Sequence, residues 1–447
     1  MKARKNGRGI LLRIRIAAAL LLCLVLAAGS AGAGKVTFDA NNGSGVADEL
    51  EYKKNEPTFA GDCPTVFSHW NTKPDGTGVD IYPLDEIDHS KYKTLYAQYI
   101  ERPTVRCTVA KATKKGDLLL DVTKEQLKSA FILPGDLVRI RSGVYNETIP
   151  FYTGRYTEEA MLCAKANEDA ATLLIKNGDF SAKSGISAGD EVTIELVERA
   201  GAKAMQVYHN LNMIAGRSNS TTDEAYGNFR EITFGNIARK KLYRSAHPLS
   251  QDKRGTTIQK LMKKAGIRTV MNMANTEEEV DEMIAERNLG KTWYAKIRNE
   301  GNVFAEKLNW SYLSADFAGE FVRGLTFLAE HDPPYLFHCN VGRDRTGFAA
   351  MVFGMLTEAD REEILQDYMQ TYANDYHLHE GMEVWDLVLH LRAEKMMDQL
   401  INQYGDGTDP GAAARNYLLS NGMDPEKLDL LVQKLTDGSA KSKANDA

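Results

Sequence analysis

The run His338-Cys339-Asn340-Val341-Gly342-Arg343-Asp344-Arg345-Thr346-Gly347 brings a thiol, two guanidinium groups, a carboxylate and a hydroxyl together in one short stretch. The apolar Tyr335-Leu336-Phe337-His338 before it reads as a buried strand, and Phe348 to Leu356 after it reads as a helix. A short loop entering a helix aims several backbone N–H groups at one point, and the helix dipole adds positive potential there. Gly342 lets such a loop turn tightly and approach a ligand, and Gly347 lets the helix pack closely. Positive potential of this kind favours the thiolate, the form of a cysteine that attacks phosphorus. Arg345 returns to the loop mouth, where its planar fork matches two oxygens of a phosphoryl group. Cys339 is therefore the expected nucleophile. Arg345 and the amides of Asn340, Val341, Gly342, Arg343 and Asp344 form the expected phosphate cradle. Thr346 is placed to donate a hydrogen bond to the sulfur and help it leave.

From residue 206 onward, strands alternate with amphipathic helices, the pattern of an α/β layer. Thr257 to Ala265, Glu277 to Glu286, Phe321 to Glu330 and Arg361 to Tyr372 read as helices, and Val270 to Met273 as a buried strand. Gly381 to Leu400 continues a helical C-terminal region. Tyr368, Tyr372 and Tyr376 recur at helical spacing and read as a packing stripe. His338 reads as orienting the loop, and Arg244 reads equally as a structural ion pair or a substrate contact. Residues 103–205 are β-rich, with short strands at Leu118 to Val122, Leu137 to Ile140 and Glu191 to Leu196. Pro134-Gly135-Asp136 and Ala188-Gly189-Asp190 are turns that could repeat within one small barrel, and Glu158 to Ala164 reads as a short helix. This segment reads as structural or substrate-shaping.

Residues 34–101 are also β-rich. VTFDANNG, the Trp70-Asn71-Thr72 strand with its Asp-Gly-x-Gly turn, and the terminal LYAQY resemble a single Listeria–Bacteroides (internalin B-type) repeat, with Tyr99 where that family usually has Trp. The resemblance implies a small β-grasp-like module, acting as a spacer or as a contact to a cell-surface or host partner. Before it, Lys2, Arg4, Lys5, Arg8, Arg13 and Arg15 lead into the apolar run Ile16 to Ala28 and the small residues Ala31-Gly32-Ala33. This is the pattern of a cleaved signal peptide over residues 1–33, with a retained anchor as the other reading. The expected protein is secreted or associated with the cell surface. Residues 438–447 read as a disordered tail. The chain of 447 residues carries 43% apolar and 26% charged residues and a net charge of −6, which argues against nucleic acid as a partner. Cys63, Cys107, Cys163 and Cys339 are too few and too scattered for a disulfide framework.

The loop, with Gly227-Asn228-Phe229-Arg230, Leu242-Tyr243-Arg244-Ser245, the Val270 to Ala274 strand and Pro334-Tyr335-Leu336, resembles the bacterial tyrosine phosphatase family of the cysteine-dependent superfamily. Arg343 stands where that family usually has Lys. The resemblance implies a central sheet flanked by helices over residues 206–437. It implies a phosphomonoesterase that works through a phosphocysteine and needs no metal or organic cofactor. Phosphotyrosine proteins are the leading substrate class. Phosphoinositides or inositol polyphosphates are the second, suggested by two arginines in one loop. The third reading is a cell-surface binding protein with an inactive phosphatase domain. A leaving oxygen needs a proton. Related enzymes commonly supply it from an Asp on a mobile loop about 30 residues before the cysteine, whereas Asp316 lies 23 residues upstream of Cys339; some relatives use the position of Asp344. Asp316 could instead cap the following helix, and Asp344 could instead pin the loop through Arg244 or Arg343.

Overall fold

In the computed structural model the described residues are 34–437, without 40, 42–46, 53–66, 83–84, 86, 88–90, 101, 155–158, 165–168, 215 and 221. The expected signal peptide, the expected disordered tail and Cys63 lie outside them. Among the described residues no helix is long and apolar enough to cross a membrane. The chain divides into residues 1–101 and 102–447.

The first unit holds a mixed five-stranded sheet, ordered β2-β1-β5-β3-β4: β1 Gly34–Asp39, β2 Ala47–Tyr52, β3 Phe67–Asn71, β4 Asp80–Ile81 and β5 Thr94–Tyr99. Alternation puts Val36 and Phe38 of β1 and Leu95 and Ala97 of β5 on one buried face with Trp70 and Ile81. Phe38 meets Trp70 edge-on at 4.7 Å. The Asp75-Gly76-Thr77-Gly78 turn is organised by buried Asn71, whose Oδ1 accepts from Lys73 N at 2.8 Å and Gly78 N at 3.0 Å.

The second unit begins with a closed seven-stranded barrel in the order β10-β11-β7-β6-β12-β8-β9. Its strands are β6 Thr104–Ala112, β7 Leu118–Thr123, β8 Leu137–Ser142, β9 Tyr145–Tyr152, β10 Ala160–Cys163, β11 Ala170–Ile175 and β12 Glu191–Glu198. The two Gly-Asp turns are built alike. Gly135 and Gly189 have φ of 95° and 92°, and each following Asp accepts the amide three residues back, at 2.7 Å from Leu133 and 2.8 Å from Ser187. The expected helix from Glu158 to Ala164 is instead strand β10. All four of its residues are buried, Leu162 towards the barrel core and Met161 and Cys163 against Tyr152, Leu174 and Ala202. Burial on both faces erases the alternation that marks a strand in sequence.

After the barrel, the helix Lys203–His209 spans the sequence boundary at 205–206. Its Gln206 exchanges hydrogen bonds with Thr153 of the barrel, while Val207 and Tyr208 pack against the core that follows. That core surrounds a second sheet, ordered β13-β14-β17-β15-β16, with β13 Arg230–Ile232, β14 Leu242–Ser245, β15 Thr269–Asn272, β16 Val303–Ala305 and β17 Tyr335–His338. Only the β13–β14 pair is antiparallel. Leu242, Met271, Tyr335 and Phe337 face one apolar cluster, and Tyr243, Val270 and Leu336 face the other. Both faces are covered by helices, as parallel sheets require. Central β17 runs into the helix Asp344–Leu356, in which every residue is buried. Such a helix has no solvent side, so its sequence shows no amphipathic stripe. Helices Ala315–Glu330, Arg361–Tyr376, Pro410–Ser420 and Pro425–Thr436 pack around this core.

Asp136 and Arg199 form a buried ion pair at 2.6 Å in the barrel, and Asp136 also accepts the amides of Leu133 and Ala200. Asp136→Ala leaves the Arg199 charge buried without its carboxylate, which costs about 3–5 kcal/mol. The urea midpoint of the full chain should fall accordingly. An unchanged midpoint would show that this pair does not hold the barrel.

Candidate active site

Parallel strands β14, β17 and β15 end side by side, and ligand sites of open α/β sheets lie beyond such carboxyl ends. Cys339 is the first residue beyond β17, free and 1% exposed. The loop from Asn340 to Arg343 then turns back into the helix that starts at Asp344. Backbone N–H groups from Asn340 to Arg345 have no protein acceptor among the described residues. That is the arrangement that receives an anion.

The loop is fixed from below by donors to its carbonyls. Gly342 O accepts from Arg244 Nη2 at 2.7 Å and from Asn228 Nδ2 at 3.1 Å, and Asn228 Nδ2 also reaches Val341 O at 3.3 Å. Arg244 is fully buried, and burial first of all pulls its pKa down to about 10. Its Nη1 pairs with Asp367, which also takes Arg230 Nε at 2.7 Å. Asp367 is buried, which alone would raise its pKa, yet Arg230 and Arg244 together hold it below the ordinary carboxylate value. Arg244 is therefore a pin for the loop, the structural alternative of the sequence reading. On the other side His247 N donates to Asn340 O at 3.1 Å. His247 Nδ1 accepts Leu249 N at 3.0 Å, so Nε2 carries the proton shared with Asn275 Oδ1 at 2.6 Å. Gly342 has φ +72°, and a Cβ there would lie 2.4 Å from Ser245 O.

Arg345 is 3% exposed, and its Nη1 donates to Met273 O at 2.5 Å and Leu308 O at 3.0 Å. Its charge is thus oriented by carbonyls rather than neutralised by a carboxylate. The indole of Trp310, 60% exposed, lies 4.7 Å from the Arg345 guanidinium carbon. Arg345 Nε, Thr346 Oγ1 and His338 Nε2 are all buried without hydrogen-bond partners. Such atoms are rare, and here they lie within one segment around Cys339. The Thr346-to-sulfur bond expected from sequence is not formed. His338 Nδ1 lies 3.2 Å from the Cys339 carbonyl, and burial, then His247, push its pKa well below the ordinary histidine value.

The two candidate proton donors are placed differently. Asp344 is 5% exposed at the start of the loop-bearing helix, and both its oxygens are within 3.1 Å of Arg343 Nε. Asp316 is exposed at the second position of the helix Ala315–Glu330. It does not cap that helix, because Ser314 does so through Phe317 N at 3.3 Å. Arg343 lies over the rings of Tyr372 and Tyr376 at 5.6 and 5.5 Å and bonds the Tyr376 hydroxyl. The tyrosine stripe is thus buried packing that also forms the wall behind Arg343. Sequence reasoning did not single out Asp367, Asn228, His247 or Trp310. Asp367, directly before the first stripe tyrosine on the same helix, had that position as its signal, and Asn228 stood in the Gly227-Asn228-Phe229-Arg230 string; His247 and Trp310 carry none.

A parallel α/β layer presenting a cysteine loop at the head of a buried helix defines a phosphatase-like domain. Residues 225–437 match the tyrosine phosphatase family model, so this part of the chain is a tyrosine phosphatase family domain. Similar solved structures include an uncharacterized conserved protein from Thermotoga maritima, at 16% identity and TM-score 0.19 over 27% of this chain and 45% of that one. The chain therefore spans less than half of that protein's length. Another is the core catalytic domain of a PP-IP phosphatase from S. cerevisiae in complex with citrate, at 13% identity and TM-score 0.23 over 39% of this chain and 95% of that one. No curated protein matches.

Two predictions test the supports. Gly342→Ala must force Cβ into the Ser245 backbone in a left-handed conformation, at about 1–3 kcal/mol. Phosphatase turnover should fall about 5- to 100-fold with unchanged far-ultraviolet circular dichroism; full turnover would show that the loop has slack. His247 is buried neutral, chiefly by desolvation, with its pKa lowered to about 4 from 6.5. As pH falls below 6.5 the unfolded chain takes a proton that the folded chain refuses until about pH 4. Stability should therefore drop by about 2 kcal/mol at pH 5 relative to pH 8 from this residue. Thermal midpoints of wild type and His247→Gln at both pH values should show the smaller drop in the variant; equal drops would contradict it.

Proposed function

We propose that this protein is an exported cysteine-dependent phosphomonoesterase. The observation that carries the reading is the run of backbone N–H groups from Asn340 to Arg345, directly after Cys339, that has no protein acceptor among the described residues, together with a buried Arg345 held by the carbonyls of Met273 and Leu308. The leader-like sequence of residues 1–33 supports export. The repeat-like module over 34–101 supports a contact at a cell or host surface.

In this mechanism the Cys339 thiolate attacks phosphorus in line and the bond to the leaving oxygen breaks. Negative charge on the equatorial oxygens is met by the amides of Asn340 to Arg345 and by Arg345, already oriented by Met273 O and Leu308 O. Preorganisation matters because these groups need not rearrange as charge develops. Asp344 hands a proton to the leaving oxygen, a role its position beside the loop supports better than the exposed start of the helix bearing Asp316. Water, deprotonated by the same carboxylate, then attacks the phosphocysteine and returns the thiolate and inorganic phosphate. Thr346 Oγ1, unpartnered in the resting site, is free to donate to the departing sulfur. Phosphotyrosine proteins are the leading substrates in this reading: an aromatic leaving group could lie against the open face of Trp310.

Turnover of p-nitrophenyl phosphate tests the assignment. Cys339→Ser should abolish it, and Arg345→Lys should lower kcat by about 100-fold or more, since a point charge cannot replace the bidentate fork. Equal phosphate release by wild type and Cys339→Ser would end the enzyme reading.

A further inference from the structure

A second basic group stands on a turn packed against the tyrosine-bearing helix Arg361–Tyr376 and takes no part in the chemistry proposed above. Arg392 lies in a turn of π-helix, Leu389–Glu394, between the helices Glu383–Val388 and Lys395–Tyr404. Single π-turns inside α-helices occur often at functional sites. The turn packs against the tyrosine-bearing helix Arg361–Tyr376. Arg392 is exposed as a residue, and its guanidinium has no carboxylate within ion-pair distance among the described residues. One interaction orients it. Arg392 Nε donates to Tyr208 Oη at 2.7 Å, and the guanidinium carbon lies 5.6 Å from the centre of the Tyr208 ring.

The chemistry of this pair is directional. Tyr208 Oη accepts the Nε proton, so its own O–H is left to donate elsewhere. With Nε occupied, the two Nη groups form the remaining face of the fork, the face that binds two oxygens of one phosphate. Tyr208 Oη and the two Nη groups of Arg392 therefore form a donor set with no acceptor among the described residues. The neighbourhood ties this set to the active site. The charge of Arg392 acts on Tyr372, the ring behind Arg343, and on Tyr312, which also feels Asp344, Cys339 and Arg343. Arg343 already has Asp344 as its partner, with Nη2 to Oδ2 at 2.9 Å. Among the described residues neither Arg392 nor Arg345 has a carboxylate within ion-pair distance.

We propose that Arg392 and Tyr208 form a second phosphate-binding site, which selects small substrates carrying at least two phosphates: one in the Cys339 cradle, the other on this pair. The inference rests on the phosphatase reading and, in place of the phosphotyrosine proteins named there, makes the substrate class a polyphosphorylated polyol, free or as a lipid headgroup. It also gives the segment after the barrel a role. Tyr208 belongs to the helix Lys203–His209, which is held to the barrel through Gln206 and Thr153 and lies outside residues 225–437. Specificity would then come from chain that precedes the matched family domain.

The test uses the full chain in about 0.15 M salt, so that diffuse attraction is screened. Phosphate release is measured for inositol hexakisphosphate and for p-nitrophenyl phosphate, and the readout is the ratio of their kcat/KM values. The ratio cancels any loss of folded enzyme. Arg392→Gln should lower it at least about 10-fold, the range expected for charge-assisted hydrogen bonds. Tyr208→Phe should lower it a few-fold, and Arg392→Lys should restore part of the loss. A ratio unchanged in Arg392→Gln would overturn the proposal. A short-chain phosphoinositide bisphosphate, dispersed or in vesicles, separates the two sources: preference for the vesicle form assigns a lipid headgroup, and equal or better use of soluble inositol hexakisphosphate assigns the free compound. If neither substrate turns over, calorimetric titration of inositol hexakisphosphate still decides this site. Binding weakened by Arg392→Gln would support the site although the phosphatase reading had failed; equal binding would remove both.

Discussion

The whole site hangs on the carbonyl of Gly342. Two buried donors, Arg244 Nη2 and Asn228 Nδ2, converge on it, while the missing side chain of Gly342 lets the loop rest on the backbone of Ser245. These contacts turn loop carbonyls down into the protein, while the amides from Asn340 to Arg345 find no acceptor among the described residues. A loop held less firmly would be free to turn those N–H groups to its own carbonyls. Burying Arg244 is costly, as its lowered pKa shows, and the protein offsets that cost with Asp367, itself shared with Arg230. Removing any one member would expose a buried charge, so the network is held as a unit.

Around that centre the fold supplies position rather than chemistry. Parallel β14, β17 and β15 bring Ser245, Cys339 and Met273 to one edge. The all-buried helix after the loop fixes where its N-terminus points. Aromatic packing of Phe348 against Tyr312, stacked at 5.0 Å, ties that helix to the loop whose Leu308 carbonyl holds Arg345.

Much of this was readable from residue order. The strand Tyr335–His338 and the helix Glu277–Glu286 fall where periodicity placed them, because short apolar runs and capping residues are local signals. Helix starts were less legible. The helices at Lys253–Ala265, Ala315–Glu330 and Asp344–Leu356 begin earlier than their apolar patterns, since their first turns carry the polar residues that serve caps and loop. The tyrosine phosphatase family resemblance was carried by the loop and by flanking strings whose buried roles only the structure explains. Asn228 and Arg244 were visible as letters of those strings, but a pin is defined by contacts 114 and 98 residues away in sequence. Trp310 and Arg392 gave no signal, because an exposed Trp and an exposed Arg are ordinary until their neighbours are known. The strand at Ala160–Cys163 was misread because burial on both sides removes periodicity.

The most direct measurement of the central claim is chemical trapping of the covalent intermediate. A turnover mixture is quenched in acid on the millisecond scale, and its peptides are mapped by mass spectrometry. A phosphoryl group on the peptide carrying Cys339, attached to the sulfur, is the predicted result. A phosphoryl group found on a different side chain, with Cys339 unmodified during active turnover, would contradict the account.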